Sequence, residues 1–257
     1  MKYLSPLILP MIALAILAPT TNTKAGDSYS NDPAWRQAVD AAIQQYIRTH
    51  PEAIVEAIQA MEIKKKAEEH ERSQKQITAH HTELLKDPTS PTSGNPNGDV
   101  TVVEFFDYRC LFCKQAAGAV TQLQTEDRNV RVVYKDFPIL GELSVLAAKA
   151  ALAAHTQDKH QQFHEALLAS EVELTREEMI AIAKRIGLDV KRLETAMQSP
   201  ELQATLDRNL ALGFKLGISG TPGFIVGTEL KPGALNLKEL RNLVERARKS
   251  RVKEGKS

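Results

Sequence analysis

The sequence predicts an α/β domain that carries an inserted helical subdomain and is preceded by a helical arm. Apolar, β-prone runs at residues 100–106 and 130–134 flank an Ala-rich helical pattern, which is the order of a βαβ unit with parallel strands. A nearly unbroken helical pattern then runs from about residue 143 to about 216. Ahead of both lie two apolar stripes at helical spacing, followed by a charged run.

Taken in order, the chain opens with Lys2, an apolar run over residues 7–18 broken only by Pro10, and a polar stretch ending Thr23-Lys24-Ala25. This reads as a secretory signal peptide, residues 1–25, cleaved after Ala25. The run is shorter than the roughly 20 residues that span a bilayer, and no cysteine stands directly after it for lipid attachment. The mature chain is then expected in an oxidising compartment.

Residues 26–86 read as the arm with its charged linker. Asp32 can cap a helix that has Pro33 at its first position, and Val39, Ala42, Ile43, Tyr46 and Ile47 follow at helical spacing. Pro51 ends that helix and opens another, whose stripe is Ile54, Val55, Ile58 and Met61. Neither stripe is wide enough to be a core. The charged run over residues 62–81, with Lys64-Lys65-Lys66 and Glu68-Glu69, is a solvated helix or a linker. The stripes within residues 32–66 therefore call for burial against a second copy of the chain, giving a homo-oligomer. Folding of the arm onto its own domain is the alternative.

Residues 87–98, rich in Pro, Ser, Gly and Asn, read as a boundary loop, with the catalytic domain at residues 99–257. Within that domain the helix beginning at Cys110 runs to about Thr125. The insertion shows Ala147-Ala148, residues 150–154 and 163–168, a capping box at Thr175-Arg176-Glu177-Glu178, and a helix opened by Pro200. Gly220-Thr221-Pro222 heads a short apolar strand, where proline is a positioned turn residue and X-Pro is the one common place for a cis bond. A turn at Leu230-Lys231-Pro232-Gly233-Ala234 closes a hairpin strand. Asn236 and Glu239 cap the last helix, residues 237–248, before a basic tail.

Composition excludes one class of partner. The 257 residues have 42% hydrophobic content, a net charge of +1 and only 5% aromatic residues, so neither a basic footprint nor a stacking platform for nucleic acid is present.

The chemistry sits at Cys110-Leu111-Phe112-Cys113, where strand passes into helix. A sulfur at a helix N-terminus meets unpaired backbone N–H groups and the positive end of the dipole, which favours Cys110 as a thiolate. Cys113, one turn on, is placed to resolve a mixed disulfide. Zinc needs four ligands, and with two cysteines it would have to recruit His155, His160 or His164. A purely structural disulfide would close too short a loop to stabilise much. Two thiolates do suffice for Cu(I), which leaves a copper-binding envelope protein as the alternative function.

The chain resembles the DsbA family of thioredoxin-fold proteins, in its ScsC-like branch with an N-terminal helical oligomerisation arm. The resemblance rests on Val103-Glu104-Phe105-Phe106-Asp107-Tyr108 leading into the cysteine pair, on Tyr134-Lys135-Asp136-Phe137-Pro138, and on Gly220-Thr221-Pro222. It implies a thioredoxin-like fold and a periplasmic thiol-disulfide oxidoreductase without a cofactor. That enzyme would form or isomerise disulfides in unfolded or misoxidised exported proteins and be recycled by a membrane oxidase or reductase.

By the same resemblance, Thr221 and Pro222 form a cis-proline loop that offers backbone to an incoming peptide, with Leu111 and Phe112 beside it. Glu104 would be a buried acid that moves a proton at Cys113, and Lys135 its candidate charge partner; an exposed edge position for Glu104 is the plainer alternative. The pair between the cysteines departs from the family, whose strongly oxidising members carry His before the second cysteine. Leu111-Phe112 supplies no side-chain hydrogen-bond donor, so a milder oxidant is expected.

Overall fold

The computed structural model describes residues 32–254, with side chains to residue 251. The signal-peptide reading of residues 1–25 falls outside them. The chain divides into two compact units, Met1–Lys64 and Lys65–Ser257.

In the first unit, α1 (Pro33–Thr49) starts where the Asp32 carboxylate accepts the Ala34 N–H at 2.9 Å, with proline at the position whose N–H would be unpaired. It ends at His50, and α2 (Glu52–Ala79) begins after Pro51. Ile43, Tyr46, Ile47, Ile54, Val55, Ile58 and Met61 are all exposed.

The second unit is built on a five-stranded sheet. After α3 (His81–Leu85) come β1 (Thr92–Gly94), β2 (Val100–Phe106), α4 (Leu111–Glu126) and β3 (Val130–Asp136). The inserted helices are α5 (Glu142–Ala154), α6 (His160–Leu168), α7 (Arg176–Arg185), α8 (Val190–Met197) and α9 (Pro200–Lys215). The hairpin β4 (Gly223–Val226) and β5 (Glu229–Pro232) and the final α10 (Leu237–Glu254) complete the domain. Strand order is β1-β3-β2-β4-β5, with β2 and β3 parallel and the other pairs antiparallel.

Because side chains alternate along a strand, each central strand feeds two cores. Val100, Val102 and Phe106 of β2 join Val130, Val132 and Tyr134 of β3, together with α4, α10 and the insertion. Val103, Phe105 and Val133 face the other way, against Ile77, Leu84, Leu212 and Leu216. At Gly213 of α9 an added Cβ would sit 2.4 Å from Phe137, so only glycine lets the helix lie this close to the segment after β3.

Two expectations need correction. Residues 87–98 are not merely a boundary loop, since β1 lies within them and pairs with β3 from Thr92↔Val133 to Gly94↔Arg131. Nor does the charged run stay solvated to residue 81: Ile77 is buried in the second core, which Leu84 joins just beyond the run. A three-residue polar strand and a lone isoleucine in a charged helix give too little periodicity to be read without their partners.

Candidate active site

Strand β2 delivers its end residue Phe106 to a four-residue turn, and Cys110 is the residue that caps α4, in extended backbone at φ −76 and ψ 118. Its thiol donates to the backbone oxygen of Thr221 at 3.2 Å and the residue is 7% exposed. The Thr221-Pro222 peptide is cis, and the Pro222 carbonyl accepts the Gly233 N–H at 2.8 Å. Cys113, in the first turn of α4, is 0% exposed and accepts the Asp107 N–H at 3.5 Å. Burial pushes the Cys113 thiol well up, and the charges of Cys110 and Glu104 act in the same direction.

The two sulfurs thus differ in access and in hydrogen-bond partner. Leu111 and Phe112 between them are 64% and 57% exposed, leaving an apolar rim outside the leading sulfur. The geometry brings Cys110, Cys113, Thr221, Pro222, Leu111 and Phe112 together.

Glu104 lies beneath, on the face of β2 that carries Val102 and Phe106. It is 1% exposed, its Oε1 has no hydrogen-bond partner, and burial raises its carboxyl to about 8. Lys135 is not its charge partner. Glu104 is opposite Tyr134 in the parallel register, so Lys135, one residue on, points to the other face. There its Nζ donates to Asp87 Oδ2 at 2.9 Å, a part-buried pair that fastens the segment before β1 to the sheet.

Sequence reasoning missed Asp107 as a site residue. One oxygen of its carboxylate accepts the Arg109 N–H at 2.8 Å, and the other accepts the N–H groups of Ile139 and Leu140 at 3.0 and 3.1 Å. A carboxylate that binds the N–H two residues on is a local turn signal, legible in Asp107-Tyr108-Arg109. The bonds to residues 139 and 140 are not local and were not. Arg109 in turn donates to Leu140 O and pairs with Glu173 at 3.1 Å, while Lys114 donates to Ser170 O at 2.6 Å. The α6–α7 loop is therefore tied to both flanks of the cysteine motif. His160 and His164, candidate metal recruits by sequence, are buried against Tyr134, with His164 bonded to Tyr108.

A parallel β2-α4-β3 unit, an antiparallel hairpin after a helical insertion, and a C-x-x-C pair at a helix start define a thioredoxin-like domain. The model of the DSBA-like thioredoxin domain matches residues 101–245, and the chain belongs to that family.

Similarity to solved structures extends this. A thioredoxin-like oxidoreductase from Silicibacter pomeroyi is 46% identical, covering 65% of this chain and 97% of that one with a TM-score of 0.64. ScsC from Proteus mirabilis, in a transitional conformation, is 27% identical and covers 84% of this chain and 98% of that one, with a TM-score of 0.62. Among curated relatives, a Na(+)/H(+) antiporter NhaA 1 from Salinispora arenicola is 31% identical over 149 residues. That match takes in 57% of this chain but only 23% of the antiporter, so the chain spans about a quarter of the relative's length.

The raised carboxyl of Glu104 has a consequence for stability. A folded value above the unfolded one contributes stability fully present below about 4.5 and lost as pH rises through about 8. Glu104→Gln should match the wild type near pH 4 and exceed it at pH 9, by on the order of 5 kcal/mol. Urea unfolding across that range measures the difference; parallel pH profiles would mean that the carboxyl is not held neutral by burial.

Proposed function

We propose that this chain is a periplasmic thiol-disulfide oxidoreductase that forms and reshuffles disulfides in exported proteins through Cys110 and Cys113. The observation that carries the reading is the unequal pair of sulfurs, one on a helix N-terminus beside Thr221 O in a residue that keeps 7% exposure, the other in a residue with none.

Acting as reductant or isomerase, the Cys110 thiolate attacks a substrate disulfide, whose S–S bond breaks as a mixed disulfide forms and one substrate sulfur leaves as thiolate. Cys113 then loses its proton to the Glu104 carboxylate and bonds to the Cys110 sulfur, releasing the second substrate sulfur. Run in reverse, the Cys110–Cys113 disulfide oxidises a substrate dithiol and Cys113 leaves with a proton from Glu104. A carboxyl near 8 can serve in either direction at neutral pH. Exposed Leu111 and Phe112 meet apolar segments of unfolded or misoxidised proteins, and a membrane redox partner resets the pair.

Signal-peptide character in residues 1–25 supports export. The exposed stripe from Ile43 to Met61 supports a homo-oligomer through residues 32–66, which would present several sites to one substrate and favour reshuffling. The Leu111-Phe112 pair supports a milder oxidant than His-bearing relatives.

With a scrambled, disulfide-rich substrate, Cys113→Ala should accumulate a mixed disulfide and Cys110→Ala should form none. Equal activity in both variants would remove the exchange reading. Deleting residues 26–64 should lower the mass measured by light scattering to that of one chain, and an unchanged assembly would take the arm out of oligomerisation.

A further inference from the structure

Two cations hold the loop between α6 and α7, residues 169–175, against the cysteine motif. Arg109, the residue before Cys110, donates to Leu140 O at 3.1 Å and pairs with Glu173 at 3.1 Å. Lys114, whose backbone N–H donates to Cys110 O at 3.1 Å, reaches Ser170 O with its Nζ at 2.6 Å. The loop braces itself through Ser170 Oγ on Val172 O at 3.3 Å and the Thr175 N–H on Glu173 O at 2.8 Å.

Between motif and loop lies a cleft of about 240 Å³, with Arg109 and Lys114 on one side and Glu171, Val172, Glu173 and Leu174 on the other. It is smaller than the roughly 300–1,000 Å³ of a small-molecule pocket, which suits a single side chain. Leu174 is buried at its base, while Val172 is exposed. Leu111, one turn before Lys114 on α4, and Leu140, whose carbonyl Arg109 holds, are exposed as well. Apolar surface gathered in this way marks an interaction site. The charges around it are unequally engaged. Glu173 balances Arg109, and the Lys114 ammonium is directed at the loop backbone. Glu171 is exposed and has no ion-pair partner among the described residues.

A substrate at Cys110 comes within reach of this cleft. Cα atoms joined through a disulfide are about 5.5–6 Å apart. In an extended segment the residue two positions from the bound cysteine points to the same side as its sulfur, about 7 Å further along. The motif wall begins one residue before Cys110 and resumes one helical turn after it, about 4 and 5.4 Å of backbone away. We infer that the cleft is a substrate subsite, taking an aliphatic side chain two positions from the target cysteine onto Val172, with a neighbouring Lys or Arg paired to Glu171. The inference rests on the exchange reading above and deepens it, naming the favoured substrate as an extended, apolar and basic segment of an unfolded protein. Leu111 and Phe112 meet the substrate from the tip of α4, whereas Val172 and Glu171 let the helical insertion take part in choosing it.

Single-turnover exchange tests this on the full chain carrying Cys113→Ala, which stops the reaction at the mixed disulfide. The probes are short peptides whose central cysteine is bonded to thionitrobenzoate. The Cys110 thiolate bonds to the peptide sulfur, the bond from that sulfur to the aromatic sulfur breaks, and thionitrobenzoate leaves as a coloured thiolate that reports the rate. The low pKa of the aromatic thiol makes it the leaving group. Residues two positions from the cysteine are Leu or Ala, and residues three positions away are Lys or Glu. Leu peptides should react about fivefold faster than Ala peptides through partial burial of the larger side chain, and Val172→Ala should cut that ratio to about twofold. Lys peptides should outpace Glu peptides about threefold at low salt, the size of an exposed ion pair, with the advantage fading at high salt. Glu171→Lys should reverse that order. Ratios taken within each protein cancel any general change at Cys110. A Leu-to-Ala ratio unmoved by Val172→Ala, a Lys-to-Glu ratio unmoved by Glu171→Lys, or a preference for Glu peptides with the native loop overturns the inference while leaving exchange itself intact. Absence of thionitrobenzoate release from every peptide would remove the exchange reading and this inference with it, so the two failures are distinguishable.

Discussion

Three backbone N–H groups converge on the Asp107 carboxylate, and both sulfurs take their places from that convergence. The carboxylate ties the turn after β2 to the segment after β3, while the N–H of the same residue reaches the Cys113 sulfur. Hydrogen bonds to a charge contribute about 1.5–3 kcal/mol each, and ordering backbone costs about 1–2 kcal/mol per residue. Three such bonds are therefore of the size needed to hold a four-residue turn in one conformation. With the turn fixed, Cys110 caps α4 with a small part of the residue still exposed, and Cys113 falls one turn on, fully buried.

Beneath the pair, the sheet sorts its polar groups by parity. On one face Lys135 has its carboxylate in Asp87, an arrangement that holds chain to chain. On the other face Glu104, Asp136, Tyr108, Tyr134, His160 and His164 are buried with no cation among them, directly behind the cysteines. A structural network would be expected to satisfy its members. Here Glu104, Asp136 and His160 each keep an unpaired atom, an expense that is understandable where a proton has to move.

Much of this was legible from residue order. The apolar run into Cys110, the Ala-rich helix behind it and the second strand specify the βαβ unit by local pattern alone, and Asp32-Pro33, Thr175 and Asn236 announce helix starts by their side chains. What escaped depends on pairing across the fold. Lys135 looked like a partner for Glu104 because both lie in parallel strands, and only the register shows that one residue of offset sends it to the opposite face. Strand β1 is polar and three residues long, and the reach of Asp107 to residues 139 and 140 crosses more than 30 positions of chain.

The central claim is that the fold presents one sulfur and seals the other. Native, fully reduced protein treated with iodoacetamide, with the sites of modification resolved by mass spectrometry, tests it directly. Cys110 should be modified and Cys113 spared until the protein is unfolded by denaturant. Modification of Cys113 at the same rate as Cys110 in the folded protein would contradict the account.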